Sequence, residues 1–333
     1  MAASADSAPS ADGTIEVPHA TRPHRKMVVC TLRRTFMPAL PESQATTHLS
    51  QIRPRYARRA ALSFLGLFVV SAGLGGCATA AQQIDAQAAA SGFERSVVAG
   101  LDYRHVVYRT ARRGGPELHV YIDNDGVPWT GRYRVAADPT GTGFGVLALM
   151  TADPAPALYL GRPCYLGLAG EPPCTPLAWT HERYSRRAVD SMDAALRRLL
   201  AARPPTRLVF IGHSGGGTMA VLLAPRFAQT VAVITLAANL DLRAWERAHG
   251  YTPLRGSLDP NDAPPLASHI LQRHYVGDGD GNVTADMLRH HAQTHPGAQV
   301  QVISGLDHAC CWAGVWPSIL EDVQAELRRL RVP

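Results

Sequence analysis

From residue 93 onward, short apolar runs alternate with segments whose apolar residues recur every three or four positions. The short runs are rich in valine, isoleucine, leucine and aromatic residues, which is typical of β-strands. The longer segments have helical spacing. Predicted strands lie near residues 93–98, 103–108, 118–122, 157–160, 208–211, 231–236, 270–276 and 299–303, and predicted helices near 143–152, 183–202 and after 219. This alternation favours an α/β fold with a mostly parallel central sheet flanked by helices.

A long stretch with several prolines, residues 239–267, interrupts the alternation. Stretches of this length without clear periodicity are uncommon inside a compact domain and are usually functional. We therefore expect a lid-like insertion here that covers or walls a pocket. Surface packing without a gating role is the alternative.

The stretch that joins one apolar strand to an apolar helix reads Gly-His-Ser-Gly-Gly at residues 212–216. A G-x-S-x-G turn between a strand and a helix is the pattern of a nucleophile elbow, in which the serine hydroxyl projects from a strained turn. Glycines two positions before and after Ser214 let the backbone pass closely. The backbone N–H of Gly215 would lie at a helix N-terminus, where it can stabilise a developing oxyanion. The pattern predicts a nucleophilic serine.

The chain carries a net charge of +6, which raises the question of a nucleic-acid partner. Residues 1–76 hold 9 of the 33 Lys and Arg residues and 4 of the 27 Asp and Glu residues. Residues 77–333 therefore hold 24 basic and 23 acidic residues and are close to neutral. The basic charge belongs to the N-terminal segment, so no nucleic-acid binding is predicted.

That N-terminal segment has the features of an export signal. Residues 1–52 are rich in Ala, Ser, Thr and Pro, and we interpret them as disordered or as sequence upstream of the true start. Within residues 53–76, four arginines precede a short apolar run, which is typical of a signal peptide. Its end, Leu-Gly-Gly before Cys77, resembles a bacterial lipobox. This resemblance implies lipid attachment at Cys77 and a membrane anchor on the periplasmic side. An ordinary signal peptide, or an anchoring helix with an incidental cysteine, is the alternative. Residues 77–92 are interpreted as a tether to a domain at 93–333.

Four further cysteines follow the predicted cleavage point. A bridge between Cys164 and Cys174 would close a short proline-rich loop, and such bridges suit an oxidising compartment. Cys310 and Cys311 could form a vicinal bridge with each other, pair with other cysteines or remain free thiols. No C-x-x-C pair is present, so no zinc site is predicted, and no metal or cofactor is expected.

Two predicted strands near the C-terminus lead into turns that carry acids and a histidine. The strand near residues 270–276 precedes a turn with Asp278 and Asp280, and the strand near 299–303 precedes a loop with His308. With Ser214, the chain order serine, aspartate, histidine is that of the α/β-hydrolases. Three motifs in this order are far more specific than any one of them.

On these motifs the chain resembles the α/β-hydrolase superfamily, in its serine esterase and lipase-like branch. The resemblance implies an α/β-hydrolase fold over residues 93–333, with Ser214 as nucleophile, His308 as base and Asp280 as acid. Other features, such as Arg162-Pro163-Cys164, are similar to bacterial lipoproteins of this superfamily.

Several roles have alternatives. Asp278 and Asp241 are the other candidates for the acid. The second oxyanion N–H would come from Asn124 or Asp125, in the loop after the strand at 118–122; a polar turn without this role is the alternative.

Among the histidines, His213 is interpreted as a packing and hydrogen-bonding residue. His290, His291 and His295 are interpreted as solvated residues of a helix and loop.

The function expected from this resemblance is hydrolysis of an ester or related acyl bond in a small-molecule or lipid substrate. An acyltransferase or peptidase on the same scaffold is an alternative. A lipoprotein that uses the cleft only for binding is another.

Overall fold

A computed structural model describes residues 78–112, 115–131, 133–142 and 145–330 of the chain. Ten strands occur among these residues, eight of them in one sheet and β4 and β5 in a separate ribbon. The strands are β1 (Glu94–Ala99), β2 (Arg104–Arg109), β3 (Glu117–Ile122), β4 (Trp129–Thr130), β5 (Arg134–Val135), β6 (Ala157–Leu160), β7 (Arg207–His213), β8 (Thr230–Leu236), β9 (Leu271–Gly277) and β10 (Ala298–Ile303).

The main sheet has the order β1-β2-β6-β3-β7-β8-β9-β10. Strands β1 and β2 are antiparallel to their neighbours, whereas every pair from β6 to β10 is parallel. Parallel strands bring their carboxyl ends to one edge of the sheet. The residues that follow β3, β7, β9 and β10 therefore meet at that edge. The predicted mostly parallel sheet is confirmed.

Seven α-helices within the described residues surround the sheet. They are α1 (Ala80–Ala90), α2 (Gly145–Ala152), α3 (Arg186–Leu200), α4 (Gly215–Leu223), α5 (Leu242–His249), α6 (Ala285–Thr294) and α7 (Trp312–Arg329).

Central strands are buried on both faces. In β7, Val209 and Ile211 belong to the core that also holds buried side chains of α2 and α7. Leu208 and Phe210 belong to the opposite core, with side chains of α3 and α4. Because helices cover both faces, these strands are continuous apolar runs rather than alternating ones.

The predicted tether is partly wrong, because residues 80–90 within it form helix α1. Thr79 and Gln82 form a capping box, in which the side chain of each accepts the backbone N–H of the other. Ile84 is buried against the core, and Asp85 accepts a 2.6 Å hydrogen bond from the Tyr108 hydroxyl. An alanine-rich segment resembles a linker in composition, but it also has high helix propensity and fits closely against a sheet.

The stretch 239–267 contains helix α5 and a 3₁₀ turn at Pro260–Asp262. Asp241 caps α5 by accepting the N–H of Ala244 at 2.8 Å. Gly250 ends the helix in the left-handed conformation, with φ 64°. This stretch supplies one wall of a cleft next to the site described below.

The predicted signal peptide at 53–76 and Cys77 lie outside the described residues. Within the described part of the chain, the helices are too short or too polar to span a bilayer.

Candidate active site

Ser214 occupies a sharp turn between β7 and α4. Its backbone has φ 51° and ψ −123°, a region that residues other than glycine rarely adopt. The turn is this tight because Gly212 and Gly216 lack side chains. A Cβ atom on Gly212 would lie 2.3 Å from the Gly216 carbonyl oxygen, and one on Gly216 would lie 2.1 Å from the Ile122 carbonyl oxygen. The strand-to-helix turn therefore has the backbone geometry of a nucleophile elbow.

His308 reaches the serine from the loop after β10. Its Nε2 atom lies 3.0 Å from Ser214 Oγ, and its Nδ1 atom lies 2.9 Å from Asp280 Oδ2. The other oxygen of Asp280 accepts the N–H groups of Asn282 and Val283, each at 2.8 Å. Because the carboxylate favours the proton on Nδ1, the lone pair of Nε2 faces the serine hydroxyl. The structure thus brings the three predicted residues into one hydrogen-bonded chain.

The alternative acids have other partners. Asp278 is exposed, and its carboxylate accepts two 2.8 Å hydrogen bonds from the loop that precedes His308. Asp241 caps α5 and lies 2.6 Å from His290 Nδ1. Of the three candidates, Asp280 is the one in contact with His308.

His213 contacts the backbone of His308. Its Nε2–H donates to the His308 carbonyl oxygen at 2.8 Å. Burial lowers the pKa of His213 to about 4, so the ring is neutral near pH 7. The interpretation of His213 as a hydrogen-bonding residue agrees with this contact.

Asn282 is a site residue that the sequence analysis did not identify. Its Nδ2 atom lies 3.0 Å from His308 Nε2, and its Oδ1 atom accepts the indole N–H of Trp245 at 3.1 Å. An indole can only donate, so it fixes the amide with Nδ2 toward the imidazole. The lone pair of Nε2 therefore faces two donors, the Asn282 amide and the Ser214 hydroxyl.

Two backbone N–H groups are candidates for binding an oxyanion. Gly215 is the first residue of α4, and its N–H has no acceptor among the described residues. The loop after β3 lies against it, since a Cβ atom on Gly215 would be 2.1 Å from Asp125 Oδ1. In that loop, the Asn124 N–H donates to Asp123 Oδ1 at 2.8 Å. The Asp125 N–H has no acceptor among the described residues, so it fits the second position better than Asn124.

The Asp125 side chain anchors this loop. Its carboxylate accepts hydrogen bonds from Arg162, from Arg183 at 3.0 Å and from the Tyr184 hydroxyl at 2.5 Å. Burial opposes ionisation, but the two guanidinium groups outweigh it and hold the pKa of Asp125 well below its usual range. The Tyr165 hydroxyl donates to the Asp125 carbonyl oxygen at 2.9 Å. The loop is therefore fixed by charged and polar contacts before any substrate binds.

A cleft of about 690 Å³ opens beside these residues. We call it the aromatic cleft. Aromatic and histidine side chains form its walls. They come from the β4–β5 ribbon, from the segment before α3 and from α5 with the residues after it: Trp129, Tyr133, His181, Trp245, His249 and Tyr251.

The structure joins Cys164 to Cys174, with Cα atoms 5.6 Å apart, and Cys310 to Cys311. The first bridge closes the loop that begins just after Arg162 and contains Tyr165, both of which bind Asp125 or its loop. Among the described residues, no group of three or more metal-binding side chains is positioned to hold an ion.

The strand order, the mostly parallel sheet and the serine at the turn between β7 and α4 together define a known fold. The family model for lipase (class 3) matches residues 175–238, which include Ser214. The chain has the α/β-hydrolase fold. A search of curated proteins gave no match.

Several solved structures are similar to this chain. They include a puromycin-hydrolyzing peptidase from Mycobacterium tuberculosis, with 17% identity, a TM-score of 0.48 and coverage of 69% of this chain and 38% of the peptidase. A serine hydrolase without a lid from Xanthomonas campestris has 14% identity, a TM-score of 0.47 and coverage of 71% and 94%. An esterase from Pyrococcus furiosus has 11% identity, a TM-score of 0.49 and coverage of 72% and 92%. The chain spans well under half of the peptidase's length.

The other residues of the candidate site have weak sequence signals. Arg162 and Arg183 stand 37 and 58 positions from Asp125, and only the fold brings them together. Asn282 lies two residues after Asp280 in the same turn, so its proximity to Asp280 was a usable signal.

Proposed function

We propose that this α/β-hydrolase is a serine hydrolase that cleaves an ester or related acyl bond. The observation that carries the proposal is the 3.0 Å distance between Ser214 Oγ and His308 Nε2, with Asp280 on the other side of the same ring. A serine hydroxyl is a weak nucleophile until a base held by a third group removes its proton. The match to the lipase (class 3) family model over the elbow supports an ester as the substrate.

The reaction begins when Ser214 Oγ attacks the carbonyl carbon and its proton passes to His308 Nε2. Asp280 holds the ring in the required tautomer and stabilises the imidazolium. The oxyanion forms at the N-terminus of α4, within reach of the Gly215 and Asp125 N–H groups. The imidazolium then protonates the leaving alcohol, and an acyl-serine remains.

Water completes the cycle. His308 takes a proton from the attacking water, the second tetrahedral intermediate collapses, and the carboxylic acid leaves with Ser214 restored. Because Asp125 is fixed by Arg162, Arg183 and Tyr184, its N–H group needs no rearrangement when the charge develops. Such preorganisation is a large part of enzymatic rate enhancement.

We also propose that the protein is exported and held at the periplasmic side of the membrane through a lipid on Cys77. The lipobox-like sequence before Cys77 supports this proposal. The Cys164–Cys174 bridge supports an oxidising compartment. Metabolic labelling with a fatty acid, compared between the full chain and Cys77→Ala, tests it; equal labelling of both contradicts it.

The proposed reaction is tested with Ser214→Ala and a fluorophosphonate probe. We expect the full chain to be labelled and to hydrolyse a short p-nitrophenyl ester, and the variant to lose labelling and at least about 10⁴-fold in kcat. Circular dichroism and a thermal melt serve as the folding control. Undiminished turnover in the variant refutes the assignment. A folded chain that the probe does not label, and that hydrolyses no ester, supports the binding alternative instead.

Product analysis with competing alcohols and peptide substrates separates a hydrolase from a transferase or peptidase.

A further inference from the structure

Two side chains that line the aromatic cleft connect it to the proposed catalytic residues. Trp245, in its wall, donates to Asn282, and the amide of Asn282 lies 3.0 Å from His308 Nε2. On the other side, Arg183 lines the cleft and binds the carboxylate of Asp125. A substrate whose carbonyl carbon reaches Ser214 can therefore extend its remaining atoms into this cleft.

The cleft wall exposes an unusual share of the protein's aromatic surface. Three aromatic side chains in the described part of the chain are strongly exposed, and all three line this cleft: Trp129 at 37%, Tyr133 at 85% and Tyr251 at 50%. Large aromatic side chains left in water forfeit the hydrophobic gain of burial. Clustered exposure of this kind marks a binding surface.

The arrangement of the rings indicates the shape of the ligand. Tyr251 stacks on His249 with ring centroids 5.1 Å apart and packs on Trp245 at 4.8 Å. Trp129 contacts His181 edge to face at 6.4 Å. These contacts hold flat faces in fixed positions, which suits a ligand made of flat or puckered rings.

The polar groups of the cleft indicate its chemistry. His249 uses Nε2 to bind the Asn282 carbonyl oxygen and His181 uses Nδ1 toward the Pro253 carbonyl oxygen. The second nitrogen of each ring has no partner among the described residues. No carboxylate lines the cleft within the described residues, and Arg183 is already paired with Asp125. The cleft therefore suits a neutral ligand that has many hydrogen-bonding groups at its edges.

An alkyl chain fits this wall poorly. Leu254 is the single long aliphatic side chain among the described lining residues, and it is nearly buried. A pocket for a fatty acyl chain is lined by continuous aliphatic surface, because its ligand offers no polar group to pair. A sugar ring meets both requirements, since its C–H groups pack on the electron-rich aromatic faces while its hydroxyls bond at the rim.

We propose that the aromatic cleft binds the carbohydrate half of an acylated sugar. The inference rests on the proposed function, because the sugar is then the leaving alcohol of the ester. In the balanced reaction, the sugar–O–acyl bond breaks, the acyl group passes to Ser214 Oγ, and His308 protonates the sugar oxygen. Water then cleaves the acyl-serine, which yields the free sugar hydroxyl and a carboxylic acid.

A binding experiment tests the cleft without turnover. Xylotriose and maltotriose are titrated in parallel into the full chain carrying Ser214→Ala, by isothermal calorimetry. We expect saturable binding of at least one trisaccharide. Trp129→Ala and Tyr251→Ala, made separately in the same background, should weaken it roughly threefold to tenfold each. Leu101→Ala is the matched control, since Leu101 is 67% exposed and lies outside the cleft. Absence of binding to both sugars, or binding that neither cleft variant alters, overturns the proposal.

A kinetic experiment with Ser214 intact separates this proposal from the proposed function. We compare kcat/KM for acetylated xylotriose, acetylated maltotriose, phenyl acetate and ethyl decanoate, each relative to ethyl acetate. The cleft variants should lower the ratio for an acetylated sugar through KM. If they instead lower it for the phenyl or decanoyl ester alone, the sugar assignment is wrong. If the protein binds sugar but hydrolyses no ester, the proposed hydrolase function is refuted and the cleft assignment stands. If it hydrolyses esters but binds no sugar, only the cleft assignment is refuted. Trp129 is 37% exposed, so its variant keeps the test decisive if Tyr251→Ala fails to fold.

Discussion

Two histidine–aspartate pairs in this protein look alike and differ in what faces the second ring nitrogen. His308 Nδ1 lies 2.9 Å from Asp280, and His119 Nδ1, within β3, lies 2.5 Å from the buried Asp153. His308 Nε2 faces a serine hydroxyl at 3.0 Å, whereas His119 Nε2 faces the Glu117 carboxylate at 2.9 Å.

The second contact decides what each ring can do. Burial alone lowers the pKa of His119, but its hydrogen bonds to Asp153 and Glu117 outweigh burial and raise the pKa to about 9. That ring holds its proton throughout the neutral range and serves as a fixed positive charge between two carboxylates. His308 has neutral groups at Nε2, so a proton can arrive there and leave. An aspartate on one nitrogen orients a histidine; an uncharged partner on the other makes it available as a base.

The largest expected difference comes from removing each ring. His308→Ala should lower kcat by at least about 10⁴-fold and change the free energy of unfolding by less than about 1 kcal/mol. His119→Ala leaves the buried Asp153 carboxylate without its cation, whereas Glu117 keeps Arg207 at 3.0 Å, and the change should destabilise the protein by about 3–5 kcal/mol. The folded molecules of His119→Ala should have the same kcat as the unmodified protein. Urea unfolding and active-site-titrated kinetics measure the two effects; loss of kcat per active site in His119→Ala would undo the comparison.

The two aspartates of the acid turn offer a matched pair. Asp280→Asn replaces the acceptor at His308 Nδ1 with an amide and favours the wrong tautomer, so kcat should fall by about 10⁴-fold. Asp278→Asn alters an exposed carboxylate that does not touch the ring, and kcat should change by less than about twofold. Steady-state kinetics of the two variants checks this order. Equal losses would return Asp278 to consideration.

Stability should depend on pH in opposite directions at the two kinds of histidine. Burial lowers the pKa of His105 and His213 to about 4 and of His274 and His291 to about 3. The unfolded chain binds more protons than the folded one below pH 6.5, so stability falls as the pH drops, by about 1.4 kcal/mol per pH unit for each group. His119 has a raised pKa, so its contribution is complete below pH 6.5 and is lost as the pH rises through 9.

Urea unfolding at pH values from 4 to 9 measures both limbs. His119→Gln should remove the alkaline loss that this residue causes and leave the acid limb in place. A flat stability profile between pH 7 and pH 5 would contradict the acid limb.

The smallest expected effect concerns the amide that contacts the base. Asn282→Ala should lower kcat about twofold to tenfold, because one hydrogen bond of roughly 1 kcal/mol to the ring is lost. Trp245→Phe keeps the ring but removes the N–H that orients the amide, so it should reproduce part of this loss. In the double variant the effects should not add, because both act through the same contact. Additive losses would show that Trp245 acts on catalysis by another route.

The sequence predicted the elements of the fold and the three residues at Ser214, Asp280 and His308 because each follows an apolar strand in a short, distinctive turn. Local patterns of this kind reflect backbone constraints, so they survive without tertiary information. The resemblance favoured Asp280 over Asp278 and Asp241 as the acid, and in the structure Asp280 is the one of the three in contact with His308.

Other features depend on contacts between distant residues. The cluster around Asp125 joins side chains whose individual positions give no sign of one another. The solvated interpretation of His291 and His295 is wrong, because both are buried and their rings stack with centroids 3.9 Å apart. Histidine is compatible with surface and core alike, so its type alone does not indicate burial. His290, by contrast, is about half exposed.

The positive φ of Ser214 makes activity and stability compete at one position. A backbone in this region costs a residue with a Cβ atom about 1–2 kcal/mol, and glycine avoids most of that cost. The conformation that directs the hydroxyl toward His308 is thus one that the isolated turn would not choose. Stability alone would favour glycine at position 214, whereas the proposed nucleophile needs a side chain there, so the proposed function implies a cost to the stability of the fold.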